Sequence, residues 1–132
     1  MIRCLICLAA LVCLAEQAVA GGETVDCSRV AERQVYACSV SQYEAADRDL
    51  NDVYRKVMAD QQNEASRGKL KAAQRNWLQF RDNECTFETA EYEGGRLEDP
   101  TYRMCRTKLA RARTKQLRDT LECQKDAGTC GR

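Results

Sequence analysis

Cysteine is the residue type in this sequence with the clearest chemistry. The chain of 132 residues contains nine cysteines, and three of them lie in an apolar N-terminal segment. The remaining six are Cys27, Cys38, Cys85, Cys105, Cys123 and Cys130. An even number of cysteines behind an export signal is typical of a disulfide framework. These six include no C-x-x-C pair, so the usual spacing of a cysteine zinc site is missing.

Catalytic chemistry has little support in the sequence. The chain contains no histidine, which is the commonest general base and a common metal ligand. It has no glycine-rich phosphate loop and no H-E-x-x-H or G-x-S-x-G motif. Glu84 and Glu88 are spaced as a carboxylate pair of the kind that glycosidases use, but both fall on a segment that reads as an exposed, charged helix. We therefore predict a protein that is not an enzyme and that needs no cofactor or metal.

The first twenty residues have the pattern of a cleaved signal peptide. Arg3 is followed by an apolar run at residues 5–14 and by Ala18-Val19-Ala20, a small-x-small cleavage pattern. The run is shorter than the roughly 20 residues that a membrane-spanning helix needs. Cys13 follows Val12 and so lacks the small residue that precedes a lipobox cysteine. We expect a mature chain of residues 21–132, exported to the periplasm or beyond and forming a single domain with a cysteine-containing tail at 123–132.

Composition narrows the class of partner. The formal net charge is +1, and removal of the signal deletes Arg3 and Glu16, which leaves that charge unchanged. A near-neutral chain has no global electrostatic attraction to nucleic acid.

The chain has few aromatic residues with which to build a core: one Trp, five Tyr and two Phe. We therefore expect cross-links to contribute part of the stability.

Apolar residues of the mature chain recur at helical spacing and predict its helices. A short helix is predicted between Cys27 and Cys38, and a long one from Ser41, which forms a capping box with Glu44. The apolar stripe of that long helix consists of Tyr43, Ala46, Leu50, Val53, Tyr54 and Val57.

Two further long helices follow. One begins near Ser66 and ends at Gly94-Gly95, and its predicted inner face carries Leu70, Ala73, Trp77, Phe80 and Phe87. The last has Asp99 as N-cap and Pro100 in its first position, and its predicted buried side carries Tyr102, Cys105, Leu109, Ala112, Leu117 and Leu121. The fold class is therefore all-α: a small disulfide-stapled helical bundle with one short and three long antiparallel helices.

The two sides of the Gly94-Gly95 turn carry opposite charge. Residues 84–99 include six acidic residues and only Arg96 as a base, whereas residues 103–118 include seven basic residues and no acid. One interpretation is a solvated surface whose charges compensate each other across the hairpin. The other is that the basic helix, or the acidic tip, is an electrostatic docking surface for a partner.

The same hairpin suggests a disulfide. Cys85 and Cys105 lie at similar distances on either side of the glycine pair, so they come level in an antiparallel hairpin and can bond. Cys123 with Cys130 would close the tail as a ring, which leaves Cys27 with Cys38. A straight helix through that last pair would separate the two by about 16 Å, so the pairing requires the helix to start late or end early. The spacing alone leaves the connectivity open.

Several polar and aromatic residues have structural interpretations. Asp47, Asn51, Arg81 and Asp82 are expected to form a polar network between the first two long helices. Trp77 has the helical spacing of a core residue, although an aromatic at this position could also bind a ligand.

The combined motifs resemble the LprI-type lysozyme-inhibitor family. The opening of that pattern is Cys27, Cys38, Tyr43-Glu44-Ala45-Ala46-Asp47, Leu50-Asn51 and Tyr54. Its continuation is Leu70, Ala73-Gln74-Arg75, Trp77, Arg81-Asp82, Cys85, Gly94-Gly95, Cys105, Arg113 and Leu117. The resemblance covers roughly residues 27–121, and its most specific part is A-Q-R-x-W-x-x-x-R-D-x-x-C. Cys123 and Cys130 fall outside the pattern.

The resemblance implies a secreted helical domain of cell envelopes, some members of which inhibit lysozyme. Animal-type lysozymes carry a basic surface and a cleft with two catalytic carboxylates. We expect the acidic tip to be attracted to that surface. Arg96 is either an ordinary solvated turn residue or a residue that reaches a cleft carboxylate with a bidentate hydrogen bond. In the second case the partner-binding residues are Glu91, Glu93, Arg96, Glu98 and Asp99. The alternative is a non-catalytic envelope accessory protein that binds another periplasmic protein through an apolar helix face. A hydrolase acting on peptidoglycan is a third hypothesis, which turnover by the purified chain would test.

Overall fold

Three long helices make up most of the molecule. The computed structural model describes residues 25–125, in which α1 spans Glu32–Asp60, α2 spans Glu64–Glu88 and α3 spans Glu98–Lys125, with no β-strand. Short 3-10 turns at Cys27–Arg29 and Ala90–Tyr92 precede α1 and follow α2. The all-α class is confirmed. The predicted signal peptide and Cys130 lie outside the described residues.

Helix α1 is longer than the sequence pattern predicted. It begins at Glu32 and runs without interruption through Ser41, so the predicted start at a Ser41–Glu44 capping box is wrong. The predicted short helix and first long helix are one element, and only the turn at Cys27–Arg29 stands apart. No glycine or proline lies between residues 32 and 60. Because no residue in this range breaks the helix, extending it is favoured over nucleating a second helix at Ser41.

The ends of α2 and α3 also differ slightly from the prediction. Asn63, rather than a residue near Ser66, caps α2: its Oδ1 accepts a hydrogen bond from the Ser66 N–H at 2.8 Å. The helix ends at Glu88, before the glycines, and the Thr89 hydroxyl then donates to the Cys85 carbonyl at 2.7 Å. Helix α3 begins at Glu98, with Pro100 in its first turn, where the missing N–H costs no intrahelical hydrogen bond.

Helices that follow each other in the chain are antiparallel, but the two helices that pack most closely, α1 and α3, are parallel. Arg111 of α3 donates to Gln42 of α1, and one two-turn step further along both helices Arg118 pairs with Asp49. Equal advances in the same direction show that α1 and α3 are parallel, with α2 antiparallel to both. The α1–α3 interface contains the small buried residues Ala46, Ala110 and Thr114. Small side chains let two helix backbones approach closely.

The core lies along these three helices and is narrow. Its cluster consists of Ala46, Leu50, Val53, Val57, Ala110 and Leu117, with Tyr54, Leu70, Trp77 and Leu121 packed around it. The predicted stripe of α1 is therefore confirmed in its main members. The Thr114 hydroxyl, buried beside this cluster, donates to the Ala110 carbonyl at 2.8 Å, so its polar group is satisfied within its own helix.

The predicted inner face of α2 is partly wrong. Leu70 and Trp77 face the core, but Phe80 and Phe87 are 51% and 78% exposed, and Ala73 is exposed as well. The buried residues of α2 are instead Gln74, Arg81 and Cys85. Phe87 lies two residues beyond Cys85, about 200° around the helix. Because Cys85 is tied to α3, Phe87 must point away from it. On α3, Ala112 is likewise exposed, whereas Ala110 is buried.

Two disulfides tie the helices together. Cys85 and Cys105, both buried, join α2 to α3 with a Cα–Cα distance of 5.6 Å, as the hairpin spacing predicted. Cys27 and Cys38 join the first 3-10 turn to α1 at 5.7 Å. This second bridge can form because no single straight helix runs through both cysteines. Helix α1 starts at Glu32, and the chain before it turns back. The predicted Cys123–Cys130 pair extends beyond the described residues.

Candidate functional site

The five charged residues predicted to bind a partner lie together at one end of the bundle. We call the segment 89–97, between α2 and α3, the tip loop. We call Glu91, Glu93, Arg96, Glu98 and Asp99 the tip residues. All five are exposed. Glu91, Glu93 and Arg96 belong to the loop itself, whereas Glu98 and Asp99 open α3, where acidic side chains interact favourably with the helix N-terminus.

Consecutive turns hold the tip loop. The Tyr92 N–H donates to the Thr89 carbonyl at 2.9 Å, and the Gly95 N–H donates to the Tyr92 carbonyl at 2.9 Å. Gly94 has a φ of 73°, in the left-handed region that favours glycine. Its N–H donates to the Glu98 carboxylate at 2.7 Å, which joins the loop to the first turn of α3. The loop is therefore a hydrogen-bonded element that presents its side chains in a defined arrangement.

Arg96 connects the tip loop to α1. Its guanidinium pairs with the Glu32 carboxylate in the first turn of α1, although the Arg96 side chain is 85% exposed. An exposed pair of this kind contributes little to stability. It can therefore exchange for another carboxylate at small cost. Arg96 is thus positioned by Glu32 and remains accessible to a partner.

Two further contacts set the electrostatics around the tip. Arg103 Nε donates to Asp99 Oδ2 at 2.9 Å, and this hydrogen bond raises the pKa of the Arg103 guanidinium. The same guanidinium lies 5.8 Å from the centre of the Tyr36 ring. A hydrogen bond with the Glu91 carboxylate raises the pKa of the Tyr92 phenol. Neither Glu91 nor Glu93 forms an ion pair with a residue in the range 25–125. These two carboxylates are the uncompensated negative charges of the loop.

A groove runs beside the tip loop. It has a volume of about 690 Å³, and its lining includes Tyr36 from α1, Thr86 from α2 and Tyr102 from α3, together with Glu93, Arg96, Glu98 and Asp99. Tyr36 is 57% exposed at its edge. The sequence stripe did not include Tyr36, because the helix was expected to begin after it. The groove is open and lined by aromatic rings and carboxylates, a combination that suits contact with a protein surface.

The predicted polar network between α1 and α2 is present. The Arg81 side chain is only 4% exposed, with Nη1 3.8 Å from Asp47 Oδ1 and Nε 2.8 Å from Asp82 Oδ1. Asn51 Nδ2 donates to Asp47 Oδ2 at 3.0 Å. The Arg81 guanidinium also lies 5.5 Å from the centre of the Trp77 ring. Arg81 is buried among its partners, and Trp77 packs against the core, so both have structural roles.

Five of the seven basic residues at 103–118 are paired with carboxylates, three of them on neighbouring helices. Arg106 contacts Asp82 of α2, Lys108 contacts Glu88 of α2 and Arg118 contacts Asp49 of α1. Arg113 donates to Gln74, and its burial lowers the pKa of its guanidinium. These contacts favour the interpretation of the basic helix as a compensated surface. At the acidic tip, by contrast, Glu91 and Glu93 have no ion pair within residues 25–125.

The other sequence candidates do not form a site. Glu84 and Glu88 lie one turn apart on α2, Glu88 is paired with Lys108, and neither residue lines the groove at the tip. Within residues 25–125, no group of three or more His, Cys, Asp or Glu side chains is placed to hold a metal ion. None of the helices in this range is both long and apolar enough to cross a membrane.

Comparison with known proteins identifies the family. The family model described as "Lysozyme inhibitor LprI" matches residues 27–117, a segment that includes both described disulfides and the whole tip loop. An uncharacterized protein of Rhizobium meliloti (strain 1021) is 33% identical over 128 residues, covering 87% of this chain and 92% of that protein. No solved structure matches the chain significantly. The chain therefore belongs to the LprI lysozyme-inhibitor family.

Proposed function

We propose that this chain is an exported, non-catalytic protein that inhibits a lysozyme by binding over its active-site cleft with the tip residues. The observation that carries the lysozyme part of the proposal is the family match over residues 27–117. The place of binding is supported by the arrangement of the tip. Five charged side chains share one exposed end, and the loop that carries three of them is held by hydrogen bonds to α3 and an ion pair to α1.

The charges of the tip suit a lysozyme of the animal type. Glu91 and Glu93 are attracted to a basic surface and would raise the rate of association. Arg96 can leave Glu32 and donate a bidentate hydrogen bond to a carboxylate in the cleft. The two disulfides support export, since such bridges persist in oxidising compartments.

The proposal is tested with the chain exported by a bacterial host and purified in its oxidised form. Its mass after export shows whether residues 1–20 are removed. The protein is titrated into lysozymes of several classes while lysis of cell walls is followed by turbidity. We expect saturable inhibition of one class, which is lost after the disulfides are reduced. Absence of inhibition for every class would overturn the proposed function.

A second function is favoured by the exposed apolar side of α2. Phe80 and Phe87 are large apolar side chains on the surface, and such residues mark contact surfaces. The alternative is an envelope accessory protein that binds another periplasmic protein through this face. A partner that co-purifies with the oxidised chain, with no effect on any lysozyme, would favour this alternative.

A further inference from the structure

The two exposed phenylalanines of α2 lie on one side of the helix. Phe80 and Phe87 are seven residues apart, which places them about 20° from each other around the helix axis and about 10 Å apart along it. They are 51% and 78% exposed, whereas Arg81 and Cys85 on the inner side are buried. The bridge from Cys85 to Cys105 fixes this rotation of α2. The phenylalanines are therefore held outward by the covalent structure.

Carboxylates accompany this aromatic pair. Glu84 lies four residues after Phe80 on α2, so it flanks the phenylalanines on the same side of the helix. Glu91 follows Phe87 by four residues and lies in the 3-10 turn Ala90–Tyr92, just beyond the end of the helix. Neither carboxylate forms an ion pair with any residue between 25 and 125. We call Phe80, Glu84, Phe87 and Glu91 the aromatic stripe. Its composition is apolar and negative, which is complementary to a surface that presents lysine or arginine side chains around an apolar patch.

The aromatic stripe ends near the tip loop in the chain. Thr86 and Ala90 both line the groove beside the tip loop, and Phe87 lies between them in the chain. Glu91 belongs both to the stripe and to the tip residues. A partner seated on the tip would therefore reach Phe87 with a neighbouring part of its surface. Phe87 and the tip residues therefore lie at the same end of the bundle.

We infer that the aromatic stripe is the apolar centre of the surface that binds a basic protein partner, with Phe87 as its main anchor. The inference rests on the proposed function, in which that partner is a lysozyme. Aromatic side chains are common among the few residues that dominate interface energetics, and charged residues around them exclude water and select the partner. The tip supplies electrostatic attraction, and the stripe supplies the apolar area that slows dissociation.

The experiment measures binding of the exported, oxidised protein to the lysozyme that it inhibits, by surface plasmon resonance. We expect Phe87→Ala to weaken binding by roughly 30-fold and Phe80→Ala by a smaller factor, chiefly through faster dissociation. Val25→Ala is the matched control, since Val25 is an apolar side chain 58% exposed that lies beside Arg111 rather than on α2. Its affinity should equal that of the wild type.

The outcomes separate this inference from the function on which it rests. A wild type that binds no lysozyme overturns the proposed function. A wild type that binds, together with a Phe87→Ala variant of equal affinity and an Arg96→Ala variant of reduced affinity, overturns the aromatic stripe alone. Light scattering is measured in parallel. A wild-type dimer that Phe87→Ala converts to a monomer without loss of lysozyme binding would assign the stripe to a second copy, and would also overturn the inference.

Discussion

Arg96 of the tip loop is paired with Glu32 in the first turn of α1, 64 residues earlier in the chain. The contact links the first turn of α1 to the tip loop, at the place where the partner is proposed to bind. It is exposed on both sides, so its role concerns the position of Arg96 more than the stability of the fold. The pair therefore offers a direct test of what Arg96 does.

Arg96→Ala and Glu32→Ala should have different effects on inhibition. If Arg96 donates to a carboxylate of the lysozyme cleft, its loss should weaken inhibition about tenfold or more, since hydrogen bonds to charged groups contribute about 1.5–3 kcal/mol. Loss of Glu32 frees Arg96 and should leave inhibition equal or slightly stronger. Inhibition constants from turbidity assays, with thermal unfolding as the check on folding, measure both. Unchanged inhibition by Arg96→Ala would remove Arg96 from the mechanism.

Neutralising Glu91 and Glu93 together with glutamine should slow association with a basic lysozyme. The two carboxylates have no ion pair within the described part of the chain, so their field acts on the partner. We expect a several-fold lower association rate at low salt. The difference should vanish in high salt, where the Debye length falls toward roughly 3 Å.

The matched control for this charge change is Asp60→Asn with Glu64→Gln. These exposed carboxylates lie where α1 ends and α2 begins, at the other end of the bundle. The control removes the same net charge and should leave the association rate close to that of the wild type. Stopped-flow or plasmon-resonance rates distinguish the two double variants. Equal rates for both would rule out steering by the tip.

The two disulfides should contribute unequally to stability. The Cys85–Cys105 bridge closes 20 residues and the Cys27–Cys38 bridge closes 11, and loop-closure entropy grows with length. Replacing Cys85 and Cys105 with alanine should lower the free energy of unfolding by about 3 kcal/mol, with a further loss from the buried packing of both residues. Replacing Cys27 and Cys38 should cost less, because that bridge ties only a terminal turn to α1. Urea unfolding of both variants measures the order, and the reverse order would contradict the prediction.

Replacing two alanines of α3 with a larger residue should change the free energy of unfolding by different amounts. Ala110 is fully buried between α1 and α3, whereas Ala112 is exposed two residues later. Ala110→Leu should destabilise the fold by about 1–3 kcal/mol, because added methylene groups must separate two closely packed helices. Ala112→Leu has the same change in helix propensity and should alter stability by less than about 0.5 kcal/mol. A comparable loss in both variants would mean that the close approach of α1 and α3 is not limiting.

Local patterns in the sequence predicted much of the secondary structure. The apolar stripe of α1 and the absence of breakers indicated helices, and the hairpin spacing indicated the bridge between Cys85 and Cys105. They also placed Arg81 near Asp47, because these positions face each other in an antiparallel pair, and near Asp82, its neighbour in the chain. Each of these inferences depends on residues within one helix or across one turn, where spacing alone determines the geometry.

The tertiary structure decided three other features. The first is the orientation of α2 about its axis. Phe80 and Phe87 point outward because the buried bridge at Cys85 fixes which side of the helix meets α3. The tertiary structure also brought α1 and α3 together as parallel neighbours, and it set Glu32 beside Arg96. Periodicity gives the angle between residues on one helix but not the direction in which the whole helix faces. That direction follows from contacts between distant parts of the chain.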